Sequence, residues 1–241
     1  MPKIRIDNLM VERGLAASQS QAQAMIMAGE VSVDGKAVNK AGTTVPSEAL
    51  ITVAEPPPFV GRGGIKLDYA LDRFPVDASS RVALDIGAST GGFTDCLLKR
   101  GAAKVYSLDV GYGQLDYGLR QDKRVVVMDR VNARYPVDLP EKVDLITIDV
   151  SFISVEKIIP SAVQVLKENG CILALIKPQF EAGKKEVPRG GVIKQPELHA
   201  LVLGRFVHWV VEHGLRLRGL VASPITGASG NREFFVLLNK D

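Results

Sequence analysis

Residues 81–95, RVALDIGASTGGFTD, constrain the fold more than any other stretch. Val82, Ala83, Leu84 and Ile86 form the short apolar run of a strand buried on both faces, and the run carries an acid, Asp85, just before a glycine-rich turn. Gly87, Gly91 and Gly92 allow backbone angles closed to other residues and let a ligand approach the main chain. Thr90 or Thr94 is placed to cap the helix that follows, which carries Phe93, Cys96, Leu97 and Leu98. The stretch reads either as a seat for an adenosine-containing cofactor or as a structural turn with no ligand.

The pattern then repeats. Lys104–Asp109 is a second strand ending in an acid roughly twenty residues past the first, where a carboxylate can accept from both ribose hydroxyls of an adenosine. Val125–Met128 is a third strand, followed by Asp129, and KVDLITIDVSF is a fourth that ends on Asp149. A helix is expected over 155–166, a fifth strand in CILALIKPQFE ending at Lys177, a long helix over 197–213, and last strands at 217–222 and 233–238. Strand and helix alternating in this way demand an α/β fold with a mostly parallel sheet covered on both faces. Its ligand crevice lies at the carboxyl ends of the strands.

Four ionisable residues fall at that crevice: Lys66 at a helix start, Asp149 and Lys177 just after strands, and Glu233 beside the last hairpin. One charge at a strand end is ordinarily just solvated. Two lysines and two acids on separate elements, beside an adenosine seat, suit transfer of a methyl group from a sulfonium to a hydroxyl oxygen. Lys177 then either takes the hydroxyl proton, which requires a lysine that is neutral near pH 7, or stays charged and holds the oxygen in place. Residues 179–196 form a long connection carrying Lys184, Lys185, Arg189 and Lys194, which suits substrate contact.

A chain of 241 residues, 46% hydrophobic, can hold one α/β domain and a small module. No apolar run approaches the eighteen or so residues of a membrane span, and MPKIRIDNLM has no secretory pattern, so a cytoplasmic protein is expected. Cys96 and Cys171 read as small buried hydrophobes, and His199, His208 and His213 have no acid or cysteine at ligand spacing, so no metal site is expected. A net charge of +3 is compatible with a polyanionic partner.

The first fifty residues have a different grammar. Ile6, Leu9, Met10 and Val11 share a helical face that stops at Gly14; Ser18 caps a second helix with Ala22, Met25 and Ile26 inward; VSVDGKAV is a hairpin turning at Asp34-Gly35. This order, in RIDNLMVERGLAASQSQAQAMIMAGEVSVDGKAVNKAG, resembles the S4-type RNA-binding domain, although Gln19 stands where that family usually has arginine and acids outnumber cations. A small protein-docking domain is the other reading. The expected division is an S4-type domain at 1–55, a Pro/Gly linker at 56–64 (PPPFVGRGG), and a second domain at 65–241.

Behind that module and the GGIKL segment, DIGASTGGFTD, IDVSFIS, KPQFE and NREFF together resemble the haemolysin A (TlyA-type) family, whose second domain is similar to FtsJ-type RNA ribose methyltransferases. The resemblance implies a Rossmann-like S-adenosylmethionine-dependent methyltransferase domain, S-adenosyl-L-methionine as cofactor, ribosomal RNA or ribosomal subunits as partner, and 2'-O-methylation as reaction. It places the catalytic set on Lys66, Asp149, Lys177 and Glu233. It places cofactor contacts on Asp85, Gly87, Ala88, Ser89, Gly91, Gly92, Phe93, Thr94, Asp109 and Asp129. A dehydrogenase is disfavoured because GASTGG lacks the G-x-G-x-x-G spacing. A noncatalytic ribosome-assembly factor remains open; a membrane-active haemolysin lacks a spanning segment or a strongly amphipathic basic helix.

Overall fold

In the computed structural model, which describes residues 3–55 and 57–240, the chain divides into units Met1–Pro57 and Pro58–Asp241. Pro56, in the expected connector, lies outside the described residues. The first unit runs β1 (Lys3–Arg5), α1 (Ile6–Glu12), α2 (Gln19–Met27), β2 (Val31–Val33), β3 (Lys36–Ala37), β4 (Thr44–Pro46) and β5 (Ile51–Val53). Ser18 Oγ accepts from the Gln21 N–H at 3.2 Å and starts α2 as expected. Asp34 (φ 49°) and Gly35 (φ 77°) both take left-handed angles, as a two-residue hairpin turn requires. Ile6, Leu9, Met10, Ala22, Ile26 and Val31 form the core, whereas Val11 is exposed, because one residue beyond Met10 rotates the side chain by about 100° away from it.

The second unit runs α3 (Arg62–Arg73), β6 (Val82–Ile86), α4 (Gly92–Lys99), β7 (Lys104–Asp109), α5 (Tyr117–Gln121), β8 (Val125–Asp129), β9 (Val143–Ile148), a 3-10 turn at Val155–Lys157, α6 (Ile159–Val165), β10 (Leu166–Ile176), α7 (Pro178–Glu181), α8 (Pro196–Glu212), β11 (Leu215–Ala222) and β12 (Phe234–Lys240). Its seven strands lie in the order β11-β12-β10-β9-β6-β7-β8, and β12 runs antiparallel to both neighbours. Strand alternation gives the sheet two apolar faces. Leu84, Ile146, Ile148, Ile172, Ile176 and Val236 share one cluster with Ile159, Ala162, Phe206 and Val210. Ala83, Leu145, Leu173, Leu175, Phe235 and Leu237 share the other with Leu67, Ala70, Leu71, Phe93 and Leu97 of α3 and α4.

The segment expected as linker is largely part of this second unit. Phe59 is buried in the α3–α4 cluster, the Val60 N–H donates to Asp95 Oδ2 at 2.9 Å, and α3 begins at Arg62, so Lys66 stands in its second turn rather than its first. Gly64 is there for close approach: a Cβ would lie 2.3 Å from the Phe59 ring.

Candidate active site at the sheet's switch point

Strand order reverses at β6, and open α/β sheets bind ligands beside the carboxyl ends of strands at such a point. The registers bring the expected residues there. Ile86 pairs with Ile148, Ile148 with Ala174, and Ile176 with Phe234. Gly87, Asp149 and Lys177 therefore leave the ends of β6, β9 and β10, while Glu233 precedes β12, all at one edge on strands about 4.8 Å apart. Asp149, Lys177 and Glu233 continue the period-two rows of Leu145, Leu175 and Phe235, so they rise on the face covered by α3, which supplies Lys66.

Two ion pairs result. The Lys177 Nζ lies 2.6 Å from Asp149 Oδ1 and donates to Ser151 Oγ at 2.9 Å. The Lys66 Nζ donates to Glu233 Oε2 at 2.6 Å, with the two side chains only 9% and 3% exposed. Asp149, at 20%, is the most open of the four. Charges this buried persist only when paired.

The glycine loop borders two adjoining hollows that share Gly87, Ser89 and Asp149. The larger, about 520 Å³, has apolar walls including Ile86, Leu108, Val131 and Ala133, with Asp109, Gln114 and Asn132 as polar groups. The smaller, about 140 Å³, is bounded largely by main chain: Gly63, Gly87 to Thr90, Gly92, Phe93 and Asp149. Gly87 (φ 85°) could not be another residue, because a Cβ would stand 2.4 Å from the Asp149 carbonyl oxygen. Asp109 accepts the Ser89 N–H (2.8 Å) on one oxygen and the Gly111 N–H (2.7 Å) on the other, and each oxygen keeps a lone pair for a ribose hydroxyl. A flat apolar slot, a ribose acceptor and a chamber of exposed main chain fit S-adenosylmethionine.

Several expected contacts are placed differently. Asp85 is fully buried beneath the loop, lines neither hollow, and accepts from the hydroxyls of Thr94 (2.7 Å) and Thr147 (2.9 Å). Thr94 is turned toward Asp85 and Ser107, so it does not cap α4; the cap position is Gly91, at φ 99°, with no side-chain bond. Asp129 lines neither hollow and is held by Arg120 (2.8 Å) and the Gly113 N–H (3.3 Å). Gly91 packs under Leu115 and Leu119, where it permits the turn rather than a ligand contact.

Burial pushes the Asp85 carboxyl up to about 7, against the threonine bonds that favour its charged form. A pKa higher in the folded than in the unfolded chain makes the neutral acid a stabilising group below about pH 4, and that contribution is lost progressively up to about pH 7. Asp85→Asn, which keeps the shape without the charge, is expected to gain up to about 4 kcal/mol over the wild type at pH 8 and little at pH 4. Denaturant melts at the two pH values test this, and an equal effect at both would refute it.

Three neighbours escaped the sequence reading. Gly63 lies in the segment read as linker, yet it borders the smaller hollow, and a Cβ there would be 3.8 Å from Asp149 Oδ2. Ser151 holds Lys177. Phe152 is 91% exposed at the cavity rim, takes a left-handed φ of 64°, and sits 5.1 Å from the Phe180 ring. An aromatic side chain in the turn directly after a strand-end acid was the available signal.

The same fold occurs in an S-adenosylmethionine dependent methyltransferase from Mesorhizobium loti, with a TM-score of 0.53 at 14% identity over 71% of this chain and 96% of that one. Sheet order and switch point are those of a Rossmann-type fold, and the match of its residues to a methyltransferase family makes the second unit an S-adenosylmethionine-dependent methyltransferase. The FtsJ-like methyltransferase model matches residues 59–240 and the S4 domain model residues 4–51. The chain belongs to the TlyA/haemolysin A family, which joins these two domains. It is 44% identical to the 16S/23S rRNA (cytidine-2'-O)-methyltransferase TlyA of Mycobacterium tuberculosis over 240 residues, covering 98% of this chain and 90% of that protein. A structure from Streptococcus thermophilus described as a hemolysin aligns at TM-score 0.76 and 40% identity, covering 100% of this chain and 89% of the other. Among the described residues, no helix is long and apolar enough to cross a membrane and no group of three or more His, Cys, Asp or Glu could hold a metal ion.

Proposed function

We propose that this protein transfers a methyl group from S-adenosylmethionine to the 2'-hydroxyl of a cytidine ribose in ribosomal RNA, as the name of its Mycobacterium tuberculosis relative describes for that protein. The observation that carries the reading is the Lys177–Asp149 pair, its lysine buried and its acid partly open, standing beside the glycine loop and the apolar cavity. The cofactor supplies a methyl group activated by its sulfonium. The protein's task is to hold a poor nucleophile in line with that methyl and to exclude water. Lys177 donates to Ser151 Oγ and lies 2.6 Å from Asp149 Oδ1 in an ion pair that makes no aligned hydrogen bond, so N–H groups are left for the 2'-oxygen. An ammonium fixed between an acid and a hydroxyl is built as a donor, so the geometry favours orienting the oxygen over removing its proton. Glu233 keeps Lys66 in place on the same face. Phe152 at the rim, with the Phe180 ring beside it, offers a stacking surface for a base turned out of its helix.

RNA grip falls to exposed cations on both units. In the first, Arg5 is bonded to Asp7 and Arg13 to the carbonyls of Ser47 and Ala49, leaving Lys3, Lys36 and Lys40 exposed. Gln19, in the place of the usual arginine, donates to Asp7 and Asn8. In the second, Lys184, Lys185, Arg189 and Lys194 are exposed along the connection before α8. Such a substrate places the protein in the cytoplasm. Labelled methyl transfer to ribosomal RNA from a strain lacking the gene, with mapping of alkali-resistant linkages, is expected to give one or a few resistant steps at cytidines. Silence on naked RNA and intact subunits alike would support the assembly-factor reading instead.

A further inference from the structure

Resting on that reading, we propose that Glu181 is a positioning residue for the Lys177–Asp149 pair, stitching the loop after β9 to the short helix after β10. Its two carboxylate oxygens divide the work: Oε2 accepts from the Ser154 hydroxyl at 2.6 Å and Oε1 from the Val155 N–H at 2.9 Å. Both partners belong to the loop that starts at Asp149 and carries Ser151 and Phe152. Glu181 itself ends α7, the single turn that Lys177 opens. The same two segments meet at Lys177–Asp149, at Lys177–Ser151 and at the Phe152–Phe180 rings.

Of these four ties, the Glu181 bridge lies outside both hollows and makes no contact with the Lys177 ammonium. It is nevertheless what fixes the far end of the loop. Ser154, while donating to Glu181, also accepts from the Glu156 N–H at 3.2 Å and so starts the 3-10 turn that anchors the chain again. Between Asp149 and that anchor the backbone passes through the left-handed Phe152, a conformation that survives only where both ends are held. Without the bridge, the loop is free to relax at Phe152 and carry Ser151 and the Asp149 carboxylate off the line of Lys177.

Three variants test the claim. Glu181→Ala removes both bonds. Glu181→Gln keeps an acceptor for the Val155 N–H and offers an amide N–H to the Ser154 hydroxyl, which can accept as well as donate. Ser154→Ala removes one of the two bridge bonds together with the bond from the Glu156 N–H. Single-turnover methyl transfer to ribosomal RNA is expected to slow about tenfold or more in Glu181→Ala, stay within about threefold of wild type in Glu181→Gln, and lie between in Ser154→Ala. S-adenosylmethionine affinity is expected to fall by no more than about threefold, less than the rate, because Asp149 to Ile153 form only one wall of the larger hollow, and amide exchange over residues 150–155 is expected to rise in Glu181→Ala. Wild-type turnover in Glu181→Ala, or a glutamine variant as slow as the alanine one, would overturn the proposal. So would a rate loss matched by equal loss of cofactor affinity. If Glu181→Ala does not fold, Ser154→Ala against Glu181→Gln decides on the same terms. A wild type inactive on every RNA would instead defeat the methyltransferase reading itself.

Discussion

Lys177→Met is expected to slow methyl transfer about a thousandfold while leaving S-adenosylmethionine affinity within about threefold of wild type. Lys177 lines neither hollow, so its loss takes nothing from the cofactor's seat. What is lost is the donor that fixes the nucleophilic oxygen, and with it the ion partner of Asp149 at 2.6 Å. Asp149 is partly open, so water can take up its carboxylate and the fold is expected to survive with a loss of about 1 to 3 kcal/mol. Lys177→Arg separates the two roles a lysine can play here. A guanidinium does not give up its proton in a protein, and it can still donate hydrogen bonds. Retained activity within about tenfold of wild type would therefore rule out a proton-abstracting lysine, whereas a loss equal to that of methionine would count against simple orientation. Single-turnover rates at saturating cofactor, with calorimetric binding and thermal melts, read all three quantities.

Two parts of this site that the sequence revealed, Asp149 and Lys177, are written as a charge directly after an apolar run. They could be found because each follows a strand's last apolar residue, and the strand ends must gather at one edge of a parallel sheet. The same rule misleads at Asp85. It is spelled like Asp109, an acid closing an apolar run, but Ile86 follows it in the strand, so Asp85 is still inside the ladder of the central strand and its side chain meets Thr94 and Thr147 instead of the crevice. Asp109 is the final residue of β7 and escapes into the cavity wall. Gly61, Gly63 and Gly64 mislead differently. Glycine and proline together read as a flexible join, yet Gly63 and Gly64 are helical and let α3 approach the loop at Gly92 and the ring of Phe59. The β1–β4 ladder was not legible because each strand has three residues, too few to display alternation. The exposure of Phe152 depends on a positive φ that its own identity argues against.

Glu233→Ala is expected to cost about 3 to 5 kcal/mol of stability as well as most of the activity, because it leaves the Lys66 ammonium buried without a partner. Stability alone would not show what the pair is for, since one half of any buried ion pair behaves this way. The double variant Lys66→Met, Glu233→Leu removes both charges and keeps the bulk, and similar replacements of buried pairs are often neutral for the fold. It is expected to recover melting to within about 1 kcal/mol of wild type, while methyl transfer stays down about a hundredfold or more. The reasoning is geometric. Glu233 leads into β12 beside the end of β10, so it neighbours Lys177 across the sheet, and its Oε1 fits against Gly227, where a Cβ would come within 2.3 Å. Arg62 reaches the adjacent Thr226 carbonyl at 2.7 Å, which ties the start of α3 to the same turn. Hydrophobic substitutes can fill that volume, but they cannot give the reacting hydroxyl a polar wall, so a refolded double variant that methylates at the wild-type rate would show that Lys66 and Glu233 serve only to hold α3 to the sheet.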